Sequence, residues 1–295
     1  MVALALDIGA TKFAAGIVDS AGAVAESRRI RVPDTGVWDA CRALLSEVAG
    51  DLRVRSVGIG SAGPVNVAAG VCGPLNIPEW AEGFPLVESV RKAFPEAKIR
   101  FAIDGACLAL AEQRFGAARG VPNVLAMTVS SGIGGGIISD GRVVMGRTGN
   151  GGHIGHIVVP GHDEPCACGG FGCVEAVASG KSSVRWARRQ GWTGTTGLEL
   201  AAAAHAGEPV AVAALERAGT AIGTAVASAA ALLDTDLVVI GGGFAQSGEP
   251  LWRPLRDSAA AHARLTFLRE LRVVPSELTD QATLRGAALL ALGAA

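Results

Sequence analysis

Four potential metal ligands, His156, Cys166, Cys168 and Cys173, are spaced His-x9-Cys-x-Cys-x4-Cys in one short stretch. Any fold in which these side chains meet must close this stretch into a compact loop. Three thiols and an imidazole at such spacing match a tetrahedral zinc site. Cysteines two apart do not readily bond to each other, whereas both thiolates can face one ion. The alternative, three free buried cysteines, fits less well with Gly169, Gly170 and Gly172, which let a backbone fold tightly around an ion. His153 and His162 are rival fourth ligands, and spacing leaves the choice open. Glu175 follows the last cysteine by two residues, so a metal here holds His156 and Glu175 in fixed relation, as a structural ion serving a binding site does.

A chain of 295 residues with 49% hydrophobic content can bury a large core and fits two domains better than one. Net charge is −1 with Arg and Glu interspersed, so no electrostatic nucleic-acid surface is expected. The opening MVALALDIGATK has no basic leader, which argues against a signal peptide, and the apolar run Thr220 to Leu233 is rich in Ala and Ser and reads as a buried helix, not a membrane partner. Three of the six cysteines lie in the cluster. Cys41, Cys72 and Cys107 are scattered without pairing logic, which fits a reducing cytoplasm.

Val2 to Ile8, Phe13 to Val18 and Ala23 to Arg31 read as an antiparallel meander, with Gly9 and Ala10 in its first turn. Helical spacing covers Val37 to Val48; Val54 to Gly60 and Lys98 to Ile103 read as strands, and about Gly105 to Phe115 as a helix. This alternation predicts a mixed sheet covered by helices. Val124 to Ser130 and Gly135 to Ile138 then repeat the strand, glycine turn, strand pattern. Laid without gaps, Leu4-Ala5-Leu6-Asp7 falls on Leu125-Ala126-Met127-Thr128 and Asp19 on Asp140, so both halves open with one supersecondary unit. Helices Leu198 to His205, Pro209 to Leu233, Leu251 to Leu265 and Gln281 to Leu292, with a strand Asp236 to Ile240, complete the reading. The expected domains are 1–116, completed by a C-terminal helix 281–295, and 117–280 with the zinc loop 153–175. A cleft between them would take a small ligand.

Asp7-Ile8-Gly9-Ala10-Thr11-Lys12 puts a carboxylate at a strand end and small residues in the turn, where backbone N–H groups can approach phosphate. An ordinary hairpin turn is the competing reading. Ser131, Gly132 and Gly134 in a second such turn support phosphate binding from another side, and Gly241, Gly242 and Gly243 follow a strand where a nucleotide could lie against bare backbone. Neither turn has the Gly-Lys-Ser or Gly-Lys-Thr of a P-loop. Asp104, at a strand end, is either a helix cap or the carboxylate that accepts a hydroxyl proton in phosphoryl transfer. Magnesium would bridge the phosphates, with Asp7 the nearest candidate to hold it.

In order, the Asp7 to Lys12 turn, Gly58-Ile59-Gly60-Ser61-Ala62-Gly63-Pro64-Val65-Asn66, Leu75-Asn76-Ile77-Pro78-Glu79-Trp80, Asp104, the Ser131 to Gly136 loop, Cys-x-Cys-Gly-Gly-x-Gly-Cys-x-Glu and Gly241 to Gly243 resemble the ROK family of bacterial sugar kinases and related repressors. The match spans nearly the whole chain. The resemblance implies an actin-like, ribonuclease H-like two-domain α/β ATPase fold with ATP, magnesium, a structural zinc and frequent dimerisation. It also implies Asp104 as general base, His156 touching both zinc and substrate, Glu175 on sugar hydroxyls, and Gly63, Asn76 and residue 103 beside the sugar. Trp80 stands where it could cover a substrate.

Two departures stand out. Sugar kinases of the family carry Glu-Asn-Asp-Ala-Asn around the base, but this chain reads Ala102-Ile103-Asp104-Gly105-Ala106, and the usual Glu-x-Gly-His is His153-Ile154-Gly155-His156. Each lost hydrogen bond to a buried hydroxyl costs about 1–3 kcal/mol. The reading is therefore an ATP-dependent kinase for the primary hydroxyl of a modified or amino sugar or a C7-cyclitol. An ordinary glucokinase and a non-catalytic sugar sensor are the alternatives; repressors of the family carry an N-terminal helix-turn-helix, for which no room is expected before residue 7.

Overall fold

The computed structural model describes residues 2–9, 11–278 and 281–293. Ala10, 279–280 and 294–295, which the sequence reading included, lie outside them. The chain begins β1 (Val2–Ile8), β2 (Lys12–Val18), β3 (Val24–Arg31), α1 (Val37–Ala49), β4 (Val54–Ser61), the short strands β5 (Val65–Asn66) and β6 (Val71–Cys72), α2 (Leu86–Ala93), β7 (Lys98–Ile103) and α3 (Asp104–Phe115). It continues β8 (Val124–Val129), β9 (Ile133–Ser139), β10 (Arg142–Val143), α4 (Val174–Ala178), α5 (Gly180–Arg189), α6 (Gly197–His205), α7 (Pro209–Leu233), β11 (Leu237–Gly241), α8 (Glu249–His262), β12 (Arg272–Pro275) and α9 (Ala282–Leu292).

Two compact units result: residues 1–115, 136–152 and 279–295, and residues 116–135 and 153–278. The stretch 136–152, read from sequence as part of 117–280, groups with the first unit. The two five-stranded sheets repeat one topology, β3-β2-β1-β4-β7 and β10-β9-β8-β11-β12. In the first, β2 is antiparallel to β1 and β3, while β4 is parallel to β1 and β7. In the second, β11 is parallel to β8 and β12.

β1 lies between an antiparallel neighbour, β2, and a parallel one, β4; apart from Asp7 it is apolar on both faces and almost wholly buried, as a strand inside a sheet covered on both sides is. α9 packs on β1, β4 and α3. A Cβ on Gly58 of β4 would lie 1.9 Å from the Ala287 carbonyl oxygen of α9, and one on Gly286 of α9 would lie 1.8 Å from the Cys107 carbonyl oxygen of α3. Only glycine permits these approaches. In the second unit α7 packs on α8, α6, α5 and α4. It is long and apolar enough to cross a membrane, yet 61% of its most apolar window is buried in the protein.

The loop 75–80 is anchored from both sides. Trp80, 1% exposed, stacks between Phe13 at 5.8 Å and Phe84 at 4.4 Å. It is a core residue, and the expectation that it covers a substrate is corrected: its ring is held by two aromatic neighbours inside the first unit. Glu79 accepts hydrogen bonds from the Gly36 N–H at 2.8 Å and the Val37 N–H at 3.1 Å, capping α1, whose own N-cap Gly36 has no side chain to do so. Glu79→Ala is expected to cost about 1–2 kcal/mol, read as a lower denaturant midpoint; an unchanged midpoint contradicts the capping role.

Candidate active site

The parallel register of β1, β4 and β7 aligns Asp7 with Gly60, and Gly60 with Ala102. Asp7 and Asp104 therefore stand at the carboxyl ends of strands separated by one neighbour, the edge of an α/β sheet where ligands bind. A Cβ on Gly60 would lie 2.9 Å from Cys107 Sγ, so the intervening strand stays bare. Asp7 is buried. Burial first, then the Asp104 charge, raise its carboxyl to about 7, against the lowering effect of Lys12 and Arg29. Burial likewise raises Asp104 to about 6, opposed by the Gly105 N–H, which donates to Asp104 Oδ1 at 2.7 Å. Two carboxylates poised near neutrality at one strand edge are suited to proton transfer. The turn beside Asp7 is closed by the Gly9 N–H on the Lys12 carbonyl at 3.0 Å, and the Thr11 carbonyl accepts from Val32 at 3.1 Å.

Also in the first unit, Gly63 enters Pro64 through a cis peptide. Asn76 is exposed, held in place by the buried Ile77 and Trp80 after it. Ile103 is 3% exposed and offers no polar group.

In the second unit the Ser130 N–H donates to the Gly132 carbonyl at 2.9 Å, and the Gly180 N–H donates to the Ser130 carbonyl at 2.8 Å. The Ile133 N–H donates to Glu175 Oε2 at 2.8 Å. Gly241 is paired with Thr128. Gly242 adopts φ +100°, and a Cβ there would lie 2.5 Å from the Val129 carbonyl oxygen, so the turns after β8 and β11 touch through bare backbone. Beside them opens a cavity of about 650 Å³, lined by Ser131, Lys181, Leu198, Gly243, Phe244 and Gln246 among others. Sequence reasoning missed Lys181, Leu198, Phe244 and Gln246. The one local signal was Ser179-Gly180-Lys181, a capped helix start, since Ser179 Oγ accepts from the Ser182 N–H.

The donor atoms of His156, Cys166, Cys168 and Cys173 all lie within 4.8 Å of one another. Cys166 Sγ is 3.7 Å from His156 Nδ1, and Cys168 Sγ is 3.8 Å from Cys173 Sγ. A tetrahedron with zinc–sulfur bonds of about 2.3 Å has edges of about 3.8 Å, so the donor set fits that ion. Burial raises Cys166, whereas the Gly170 N–H lowers Cys168. His162 is engaged elsewhere: its Nδ1 is 3.4 Å from Arg217 Nη2, and Arg217 pairs with Glu164. His153 is outside the cluster, with its ring 5.5 Å from that of His156, and burial lowers its pKa.

A strand-edge pair of near-neutral carboxylates, glycine turns beside a nucleotide-sized cavity and a duplicated sheet topology are the parts of a phosphotransferase. The ROK family profile matches residues 3–294, and the chain belongs to that family. It is 31% identical to the glucokinase of Thermotoga maritima, over 97% of this chain and 95% of the relative. It is 33% identical to the kanosamine kinase of Amycolatopsis mediterranei, over 98% and 95%. The crystal structure of a ROK family glucokinase from Streptomyces griseus in complex with glucose and AMPPNP superposes with a TM-score of 0.86 at 32% identity, over 99% of this chain and all of that one. The protein is a carbohydrate phosphotransferase with the actin-like two-domain fold.

Proposed function

We propose that the protein uses ATP to phosphorylate the primary hydroxyl of a modified or amino sugar or a C7-cyclitol, with Asp104 as general base. The observation that carries this is the Asp104 carboxyl. It is ionised at neutral pH, yet at about 6 it is a better proton acceptor than an ordinary aspartate. The Gly105 N–H donates to Oδ1, and the carboxylate would take the acceptor hydroxyl on Oδ2. As the substrate oxygen attacks the γ-phosphorus and the bond to the ADP oxygen breaks, the hydroxyl proton passes to Asp104.

In the first unit Gly9, Thr11 and Lys12 would offer phosphate contacts; in the second Ser131, Gly132, Gly134 and Gly241 to Gly243 would do so, with the cavity beside Phe244 open to the adenosine. Magnesium, which neutralises phosphate charge when bound, would be held by Asp7. Zinc would be held by His156, Cys166, Cys168 and Cys173, fixing the loop that carries His156 and Glu175 to the substrate. A reducing cytoplasm and a homodimer complete the reading; six cysteines free of disulfides support the first, and sedimentation would test the second.

Altered specificity rests on Ile103 and His153. An apolar side chain and a neutral imidazole stand where the family carries Asn and Glu, and one relative is named for kanosamine. ADP release with ATP and magnesium is expected to be faster with an amino sugar or carba-sugar cyclitol than with glucose. His153→Glu is expected to improve glucose kcat/KM about tenfold. Glucose turned over by the parent as efficiently as any other acceptor would return the enzyme to the ordinary glucokinases.

A further inference from the structure

The turn between β8 and β9 is gripped at both ends by the segment that follows the cysteine loop. At its start the Ser130 carbonyl accepts from the Gly180 N–H at 2.8 Å. At its end the Ile133 N–H donates to Glu175 Oε2 at 2.8 Å. The grip is closed on the far side by Ser182 Oγ and the Ser179 N–H, which donate to the Glu175 carbonyl at 2.9 and 3.2 Å. Ile133 is 4% exposed, and the Glu175 carboxylate is the partner its N–H has in the folded protein. Gly132 makes the contact possible, because a Cβ there would lie 2.6 Å from Glu175 Oε2. The other carboxylate oxygen, Oε1, accepts from no described residue, and the side chain is half-buried.

We propose that Glu175 is a positioning residue for the donor nucleotide as well as a ligand of the acceptor sugar: one carboxylate oxygen fixes the Ser130–Ile133 turn while the other is left for a hydroxyl. The inference rests on the reading of that turn as phosphate-binding. It differs from a sugar-contact role in one consequence. Glu175 sets nucleotide affinity when no sugar is present.

The experiment is calorimetric titration of the sugar-free enzyme with magnesium and AMPPNP, for the parent and for Glu175→Ala, Glu175→Gln and Ser131→Glu, with melting curves to verify folding. Glu175→Ala is expected to weaken binding about tenfold, the effect of losing a hydrogen bond to a charged acceptor. Glu175→Gln is expected to stay within about threefold of the parent, because its amide oxygen still accepts from Ile133. Ser131→Glu places a like charge against the phosphates at an exposed position and is expected to weaken binding most. Parental affinity in Glu175→Ala, with Ser131→Glu weakened, overturns the positioning role and leaves the phosphate turn standing. Parental affinity in Ser131→Glu overturns the phosphate turn itself. Equal losses in the Ala and Gln variants overturn the hydrogen bond as the cause. If Glu175→Ala does not fold, Glu175→Leu carries the test, since it fills the same space without an acceptor for the Ile133 N–H and the same loss is expected.

Discussion

The Asp104→Asn enzyme is expected to fold, to bind nucleotide and acceptor, and to turn over about 10²–10⁴-fold more slowly than the parent, the range attributed to a positioned general base. The amide oxygen of asparagine can still accept the Gly105 N–H that now reaches Oδ1 at 2.7 Å, so the loss should fall on kcat. Parental kcat in this variant would show that the base lies elsewhere. The pH profile gives a second check. Asp104 acts as a base only when ionised, and its carboxyl sits at about 6, while Asp7, the proposed magnesium ligand, sits at about 7, so kcat/KM should fall as pH drops through this range and flatten only above it. Stability runs the other way. Burial raises Asp104 above its ordinary value of 3.8, so the protonated form favours the fold. That contribution is whole below about pH 4 and is lost as pH rises through about 6. Asp104→Asn, which never ionises, should therefore melt higher than the parent at pH 8 and lose the advantage near pH 4; a constant difference across this range would contradict the burial of the charge.

Removal of zinc is expected to have the largest effect on stability. Cys173→Ser, or exhaustive chelation, should lower the melting temperature by on the order of 5–10 °C, whereas Cys41→Ser, which is not part of the donor set, should leave the zinc content intact. Cys173 forms the N-cap of α4, the short helix that carries Glu175, so the damage should reach the acceptor site as a raised sugar KM. Metal analysis of the purified protein decides the matter at once. About one zinc per chain is expected, lost in Cys173→Ser, and a parent without zinc would reduce the cluster to free thiols.

Much of this was written in the order of residues. The strands β1, β2 and β7 and the helix α7 were visible because apolar runs and alternations are bounded by Gly, Asp and Pro. Leu86–Ala93 was missed because an eight-residue helix after Pro85 has too few turns for its period to register. Arg272–Pro275 was missed because a four-residue edge strand ending in proline has no pattern of its own. The metal donors were legible from spacing, since a short loop fixes which side chains can converge. Spacing could not choose among three histidines, because only folding engages His162 with Arg217. The cavity walls were illegible for the same reason. Lys181, Leu198 and Phe244 meet from segments far apart in sequence. Trp80 shows the converse error, for a large aromatic beside a substrate loop looks like a lid until its partners Phe13 and Phe84 are known.

The helix α9, which fills the space above Gly58, is made after every other element described. When residues 1–115 leave the ribosome, β1 and β4 have no cover on the side that α9 will occupy, and β4 presents bare glycine backbone there. The second unit, residues 116–135 and 153–278, is synthesised before α9, so it can mature while the first waits. Chain growth at about 5–20 residues per second leaves the apolar strands of the first unit exposed for roughly ten seconds or more, an interval in which a chaperone, or another copy of the same unfinished sheet, competes for the seat of α9.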